Sequence, residues 1–175
     1  MNKMSLLLLC LVLGSITAFG QFAFQEDFEY AAGDTLGAHG WLLTSTPSYV
    51  NPLTVVSPGL TFAGFGPAGI GNAAAVGTTG QDRYKEYTTT LSSGNVYFWA
   101  MINVSAAQAT GDYFLALSPT TQTNMTCRTF AKSSGSGYVI GLSKSNETPV
   151  QYGATELAFN TTYVLVLKYS FQSGV

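Results

Sequence analysis

Glu26, Asp27, Glu29 and Asp34 bring four of the chain's nine acidic side chains into one short stretch, together with its only histidine, His39, and one of its two tryptophans, Trp41. Two chemistries use carboxylates so close in sequence. Glycoside hydrolysis with retention needs an acid and a nucleophile about 5 Å apart, which alternating acidic residues on one strand face supply. Here the alternating set is Gln25, Asp27 and Glu29, and an amide in the first position cannot act as nucleophile. A hard cation is the second possibility. Asp27, Glu29 and Asp34 offer oxygen ligands, and Gly33 frees the backbone carbonyls beside them, so calcium is the cofactor these residues suggest. Acidic residues that merely solvate a turn give the same pattern. Zinc and nucleophilic catalysis have less to build on, since His39 and Cys127 stand alone without ligand spacing or a third partner. Glycan recognition uses exposed aromatic rings, and Tyr97 and Trp99 fall on one face of a strand with Phe98 on the other. One of these faces points away from the core unless another layer covers it.

The segment that precedes these residues is an export signal. Lys3 gives the positive start, residues 5–13 the apolar run and Ala18-Phe19-Gly20 the small-residue cleavage site. The run is shorter than the ~20 residues of a membrane span, and Cys10, preceded only by leucines, does not fit a lipid anchor. The expected organisation is therefore a signal peptide at 1–20 and one domain at 21–175, secreted to the extracellular space or cell surface. Lys3 is one of seven basic residues, so six remain against nine acidic ones. This balance argues against nucleic acid and anionic membranes as partners. Cys127 is left without a disulfide partner, and a core of about 155 residues must hold the fold by burial alone.

Gly, Thr, Ser, Val and aromatic residues dominate, and no long window shows helical spacing of apolar residues, so the fold class is all-β. Residues 21–28 alternate as an entering strand. Short apolar runs follow at 53–56 and 59–62, separated by a Pro58-Gly59 turn. The Gly- and Ala-rich stretch 63–80 reads as a loop crossing close to other backbone, with a short strand at 73–76. The charge cluster 81–87 is as consistent with a solvated edge as with a site. Five strand-like runs at 95–104, 113–117, 125–132, 138–144 and 162–171 then predict an antiparallel meander folded into two facing sheets. Tyr163 to Leu167 is apolar on both faces and is expected to be a central strand. The turn signal at 172–175 leads to no further strand, which predicts a chain truncated before its closing strands and prone to associate.

The motifs Glu26-Asp27-Phe28-Glu29-Tyr30, Gly40-Trp41, Gly69-Ile70-Gly71-Asn72-Ala73, Tyr138 to Lys144 and Tyr163 to Tyr169 resemble the laminin-G-like, concanavalin-A-like jelly-roll modules of bacterial secreted proteins, many of which carry a type IX sorting domain. The resemblance implies an antiparallel two-sheet jelly-roll sandwich. These are fold-type motifs that name no ligand; together with the residue readings above, Tyr97 and Trp99 as ligand contacts and calcium at Asp27, Glu29 and Asp34, they lead to the expectation of a non-catalytic binding or adhesion module for an extracellular glycan or surface protein. A glycoside hydrolase or polysaccharide lyase on the same fold is the alternative.

Overall fold

The computed structural model describes residues 23–44, 51–87, 90–122, 125–145 and 147–171. The expected signal peptide at 1–20 and the turn at 172–175 lie outside them. The described residues are all-β and antiparallel. Ten strands follow one 3-10 turn at Leu36–His39: β1 (Leu42–Leu43), β2 (Thr54–Val56), β3 (Ala73–Ala75), β4 (Arg83–Tyr84), β5 (Asn95–Asn103), β6 (Asp112–Leu117), β7 (Cys127–Ser134), β8 (Gly137–Ser143), β9 (Gln151–Tyr152) and β10 (Thr162–Ser170). They form four sheets, β1-β4, β2-β3, β5-β10 and β6-β7-β8-β9, where the sequence predicts two. Among the described residues no helix is long and apolar enough to cross a membrane.

The meander β6 to β9 carries part of the core, with Leu36 and Val55 buried outside it. Its neighbours in space are neighbours in sequence, and the β7–β8 turn needs a left-handed residue, which Gly135 provides at φ +54. Residues at odd positions of β7 and even positions of β8 share one face by register, because Thr129 opposes Leu142 and Ser133 opposes Tyr138. On that face Tyr138 and Thr129 are wholly buried, while Phe130 and Val139 are buried on the other. Each such apolar side chain contributes about 1.5–3 kcal/mol by leaving water. Tyr138 stacks on Phe159 with centroids 5.5 Å apart. Burial, with Tyr163 nearby, raises its hydroxyl to a pKa of about 12.

The partner layer is β5-β10, paired at all nine positions from Asn95 opposite Ser170 to Asn103 opposite Thr162. Its inner face carries the buried Ile102 and Leu167. The Tyr163 hydroxyl accepts from the Ala158 N–H at 3.0 Å, next to Leu157, which bridges Tyr138 of β8, and Tyr169 lines a hollow with Cys127 and Leu142. The antiparallel sheets are consistent with a generic β-sandwich. β10 is not the central strand its two-sided apolarity predicts. Among the described residues it pairs only with β5, and Val166 on its outer face is 61% exposed. The strand covered on both faces is β8, the inner strand between β7 and β9.

No strand forms at 23–28. The Glu26 side chain takes the Phe28 N–H at 3.0 Å, and Phe28 adopts φ +53, so the alternation is broken by a local side-chain bond before a ladder can form. The Gly-rich stretch behaves as expected. Asn72 donates its N–H to the Asp27 carbonyl at 3.0 Å and its side-chain amide to the Tyr30 carbonyl at 2.9 Å. A Cβ on Gly71 would run into that same Asp27 carbonyl. The glycine is what lets the two backbones touch.

This closeness can be measured. Gly71→Ala, at φ +64, is expected to lower stability by more than about 3 kcal/mol, since left-handed strain and overpacking add. Gly33→Ala, at φ +93 with open space around it, should lose only the strain, about 1–2 kcal/mol. Equal losses in urea unfolding would show that the 27–71 contact has room to spare.

Candidate functional site

The aromatic residues singled out in the sequence come together on the outer face of β5-β10. Odd positions of β5 and even positions of β10 point away from the meander, giving five facing pairs: Asn95/Ser170, Tyr97/Lys168, Trp99/Val166, Met101/Val164 and Asn103/Thr162. Both ends are polar. Ser170 donates to the Asn95 side-chain oxygen at 2.7 Å, and the Asn103 amide donates to the Thr162 hydroxyl at 3.4 Å. Between them lies an aromatic and aliphatic middle, and at a rise of ~3.4 Å per residue the strip runs about 27 Å.

Within that middle, Tyr97 is 63% exposed. Trp99 is half-buried because Phe65, from the Gly-rich loop, meets it edge-on at 5.1 Å. Lys168 holds its Nζ 6.0 Å from the Tyr97 ring centroid. The strip is therefore an open ring beside a braced one, with one cation. Phe65 and Lys168 were not singled out by sequence reasoning. Lys168 alternates with Val166 and Val164, a signal that becomes useful only once β10 is known to pair with β5. No protein-family model, no curated protein and no solved structure matches the chain. The strip's chemistry must speak for itself.

The acidic stretch is built differently from its sequence expectation. Asp34 Oδ2 accepts from His39 Nε2 at 2.9 Å, and His39 stacks on Tyr30 at 3.8 Å. Asp27 lends its backbone carbonyl to Asn72, and Glu29 is exposed. Among the described residues no three His, Cys, Asp or Glu side chains gather as a group that could hold a metal ion.

The carboxylate with the richest surroundings is Glu26, which sequence reasoning had not assigned a role. It accepts from Lys85 Nζ at 2.9 Å, the Tyr30 hydroxyl at 3.0 Å and Trp41 Nε1 at 3.3 Å, besides the Phe28 N–H. Trp41 in turn stacks on Phe28 at 5.9 Å and meets Phe24 edge-on. The charge cluster 81–87 closes the same knot. Arg83 reaches the Trp41 carbonyl at 2.7 Å and the Gln81 side chain, while Asp82 accepts from the Tyr113 hydroxyl of β6. Within that cluster Asp82, Arg83 and Lys85 clamp 26–41 to the meander, while Glu86 and Tyr87 are exposed.

Burial, the largest single influence on Glu26, pushes its carboxyl up, but the bonds from Lys85, Phe28 and Tyr30 and the Lys85 charge together outweigh it and hold the group below its ordinary value. Lys85 is raised, first by its bond to Glu26, against its own desolvation. A lowered carboxyl gives stability that is present above its unfolded pKa and lost as pH falls through the folded one. A raised lysine gives stability that is present below its unfolded pKa and lost as pH climbs through the folded one.

Glu26→Gln is therefore expected to lose about 2 kcal/mol near neutral pH, the lower end for a partly buried pair. It should also flatten the fall in melting temperature below the ordinary carboxyl value of 4.5. Parallel melting curves for the variant and the parent down through that range would remove Glu26 from this role. Cys127 gives a second check. Its thiol is free, half-buried and pushed up by burial, so alkylation of the native protein at neutral pH should be slow and should become fast only on unfolding.

Proposed function

We propose that the chain is a non-catalytic binding module of an exported adhesion protein, and that an extended glycan lies along the outer strip of β5-β10. The observation that carries this is Tyr97, 63% exposed beside Trp99 on a regular strand. An aromatic ring held open on a rigid element loses little conformational freedom on binding and offers a flat apolar face against which the C–H face of a sugar can stack. The polar pairs at both ends offer hydroxyls and amides to sugar hydroxyls. The antiparallel sheets and the motifs named above favour the concanavalin-A-like jelly roll as the framework, within a larger protein of the cell surface or medium.

The hydrolase or lyase alternative draws on no comparable arrangement: Gln25, Asp27 and Glu29 sit on a segment that forms no strand, and Phe28 interrupts their alternation. No step of the binding proposal runs through a cation.

Tyr97→Ala should reduce retention on polysaccharide gels about tenfold or more, with stability changed by no more than about 0.5 kcal/mol, as befits an exposed site. Incubation with the retained polysaccharide should release neither reducing ends nor unsaturated sugars. Retention that survives Tyr97→Ala would move the binding face elsewhere, and released product would turn the module into an enzyme.

A further inference from the structure

The strip does not end at Ser170. That residue also lines a hollow of about 380 Å³ whose other walls are Ser92, Lys144, Tyr169 and Phe171. Among the described residues its wall is two serine hydroxyls, two rings and an ammonium group, with no carboxylate. One pair along, Lys168 is the only charged side chain on the five facing pairs. Among the described residues the two ion pairs are Lys85 with Glu26 and His39 with Asp34, so neither Lys144 nor Lys168 is neutralised by a carboxylate. Lys168 lies over the Tyr97 ring of the strip itself, and, Lys144 apart, the other described lysines and arginines have partners away from it. Arg83 and Lys85 belong to the Glu26 knot, Arg128 sits 5.4 Å from the Phe130 ring and bonds Ser143, and Lys132 sits 5.1 Å from the Tyr152 ring.

In a chain with a net acidic charge, two ammonium groups without a carboxylate partner among the described residues therefore belong to this part of the surface, Lys168 on the aromatic strip and Lys144 in the hollow that Ser170 also lines. Resting on the glycan-binding proposal above, we infer that the ligand is an acidic glycan. Its anionic groups, carboxylate or sulfate ester, meet Lys168 beside Tyr97 and Lys144 in the hollow beyond Ser170. The rings take the sugar faces and the lysines take the charges. Glu147 shares a neighbouring hollow with Lys144 and Tyr169, where its negative charge opposes an anion and tempers the affinity.

The test is affinity electrophoresis of the mature chain in gels containing polygalacturonate, dextran sulfate or neutral dextran, at two salt concentrations. The parent protein should be retarded most by one of the two acidic polymers, and which of them it is separates carboxylate from sulfate. Lys168→Gln and Lys144→Gln should each weaken that retardation about tenfold, the scale of one charge-assisted hydrogen bond, and should make it less sensitive to salt. Glu147→Gln should strengthen it, and Lys132→Gln, on the far face of the meander, should leave it unchanged. Equal retardation in neutral and acidic gels, or a Lys132→Gln loss as large as that of Lys168→Gln, would overturn the acidic ligand while leaving the glycan strip standing if Tyr97→Ala still abolishes binding. Absence of retardation in all three gels would overturn both.

Discussion

Register between β5 and β10 is the constraint on which the surface of this protein depends. Side chains alternate faces along a strand, so a slip of one residue in the pairing would turn one strand over relative to the other: with β10 held in place, Phe98 would move outward and Tyr97 inward. Such a slip would expose the core side chains of β5 and bury its share of the strip in the same stroke. The pairing is held by more than its backbone ladder. Leu167 and Ile102 are buried on one side, and on the other Phe65 braces Trp99. Apolar burial inside and an edge-on ring outside favour the same register, and this agreement lets an aromatic face stay open without making the sheet ambiguous.

The N-terminal part is fastened by polar means. Around Glu26, one partly buried carboxylate collects an ammonium, a phenol, an indole and a backbone amide. Removing a charge pair from water is expensive, and only a full set of hydrogen bonds offsets that. Glu26 has such a set. The result ties residues 26–41 to residues 81–85, and through the bond between Asp82 and Tyr113 to β6. The Gly-rich stretch, pressed against Asp27 and Tyr30, carries Phe65 to the strip. Fastening at the acidic stretch and exposure at the aromatic strip are therefore parts of one framework.

How much of this could be read from the sequence depended on whether a residue's role was local. Alternation over 95–104, 113–117 and 138–144 marked strands correctly, and the small residues of 63–80 marked close backbone approach, because both signals sit in the segment that uses them. The entering strand at 21–28 was a misreading over its described part, where alternation was genuine but Glu26 spends its side chain on the Phe28 N–H, a bond invisible to hydropathy. The two-residue strands β1, β4 and β9 were too short to leave a period. Tyr97 and Trp99 were legible as a pair. Lys168, Phe65 and Lys144 were not, since each joins them through pairing or packing across a long separation. The two-sided apolarity of 162–171 suggested a central strand, whereas its outer apolar residues line the strip.

One consequence of the topology concerns the order of assembly. β5 and β10 enclose the whole meander between them in the chain, so their ladder closes a loop containing β6, β7, β8 and β9. Closing a long loop is entropically unfavourable until its interior has become compact. The meander, with short connections such as the Gly135 turn, can form from local contacts and bring Asn95 and Ser170 within reach of each other. The face bearing Tyr97 is thus completed last, and a molecule that displays it has already folded the sheet behind it. The strip is itself a certificate of completed folding, with no partly built version of it on the surface.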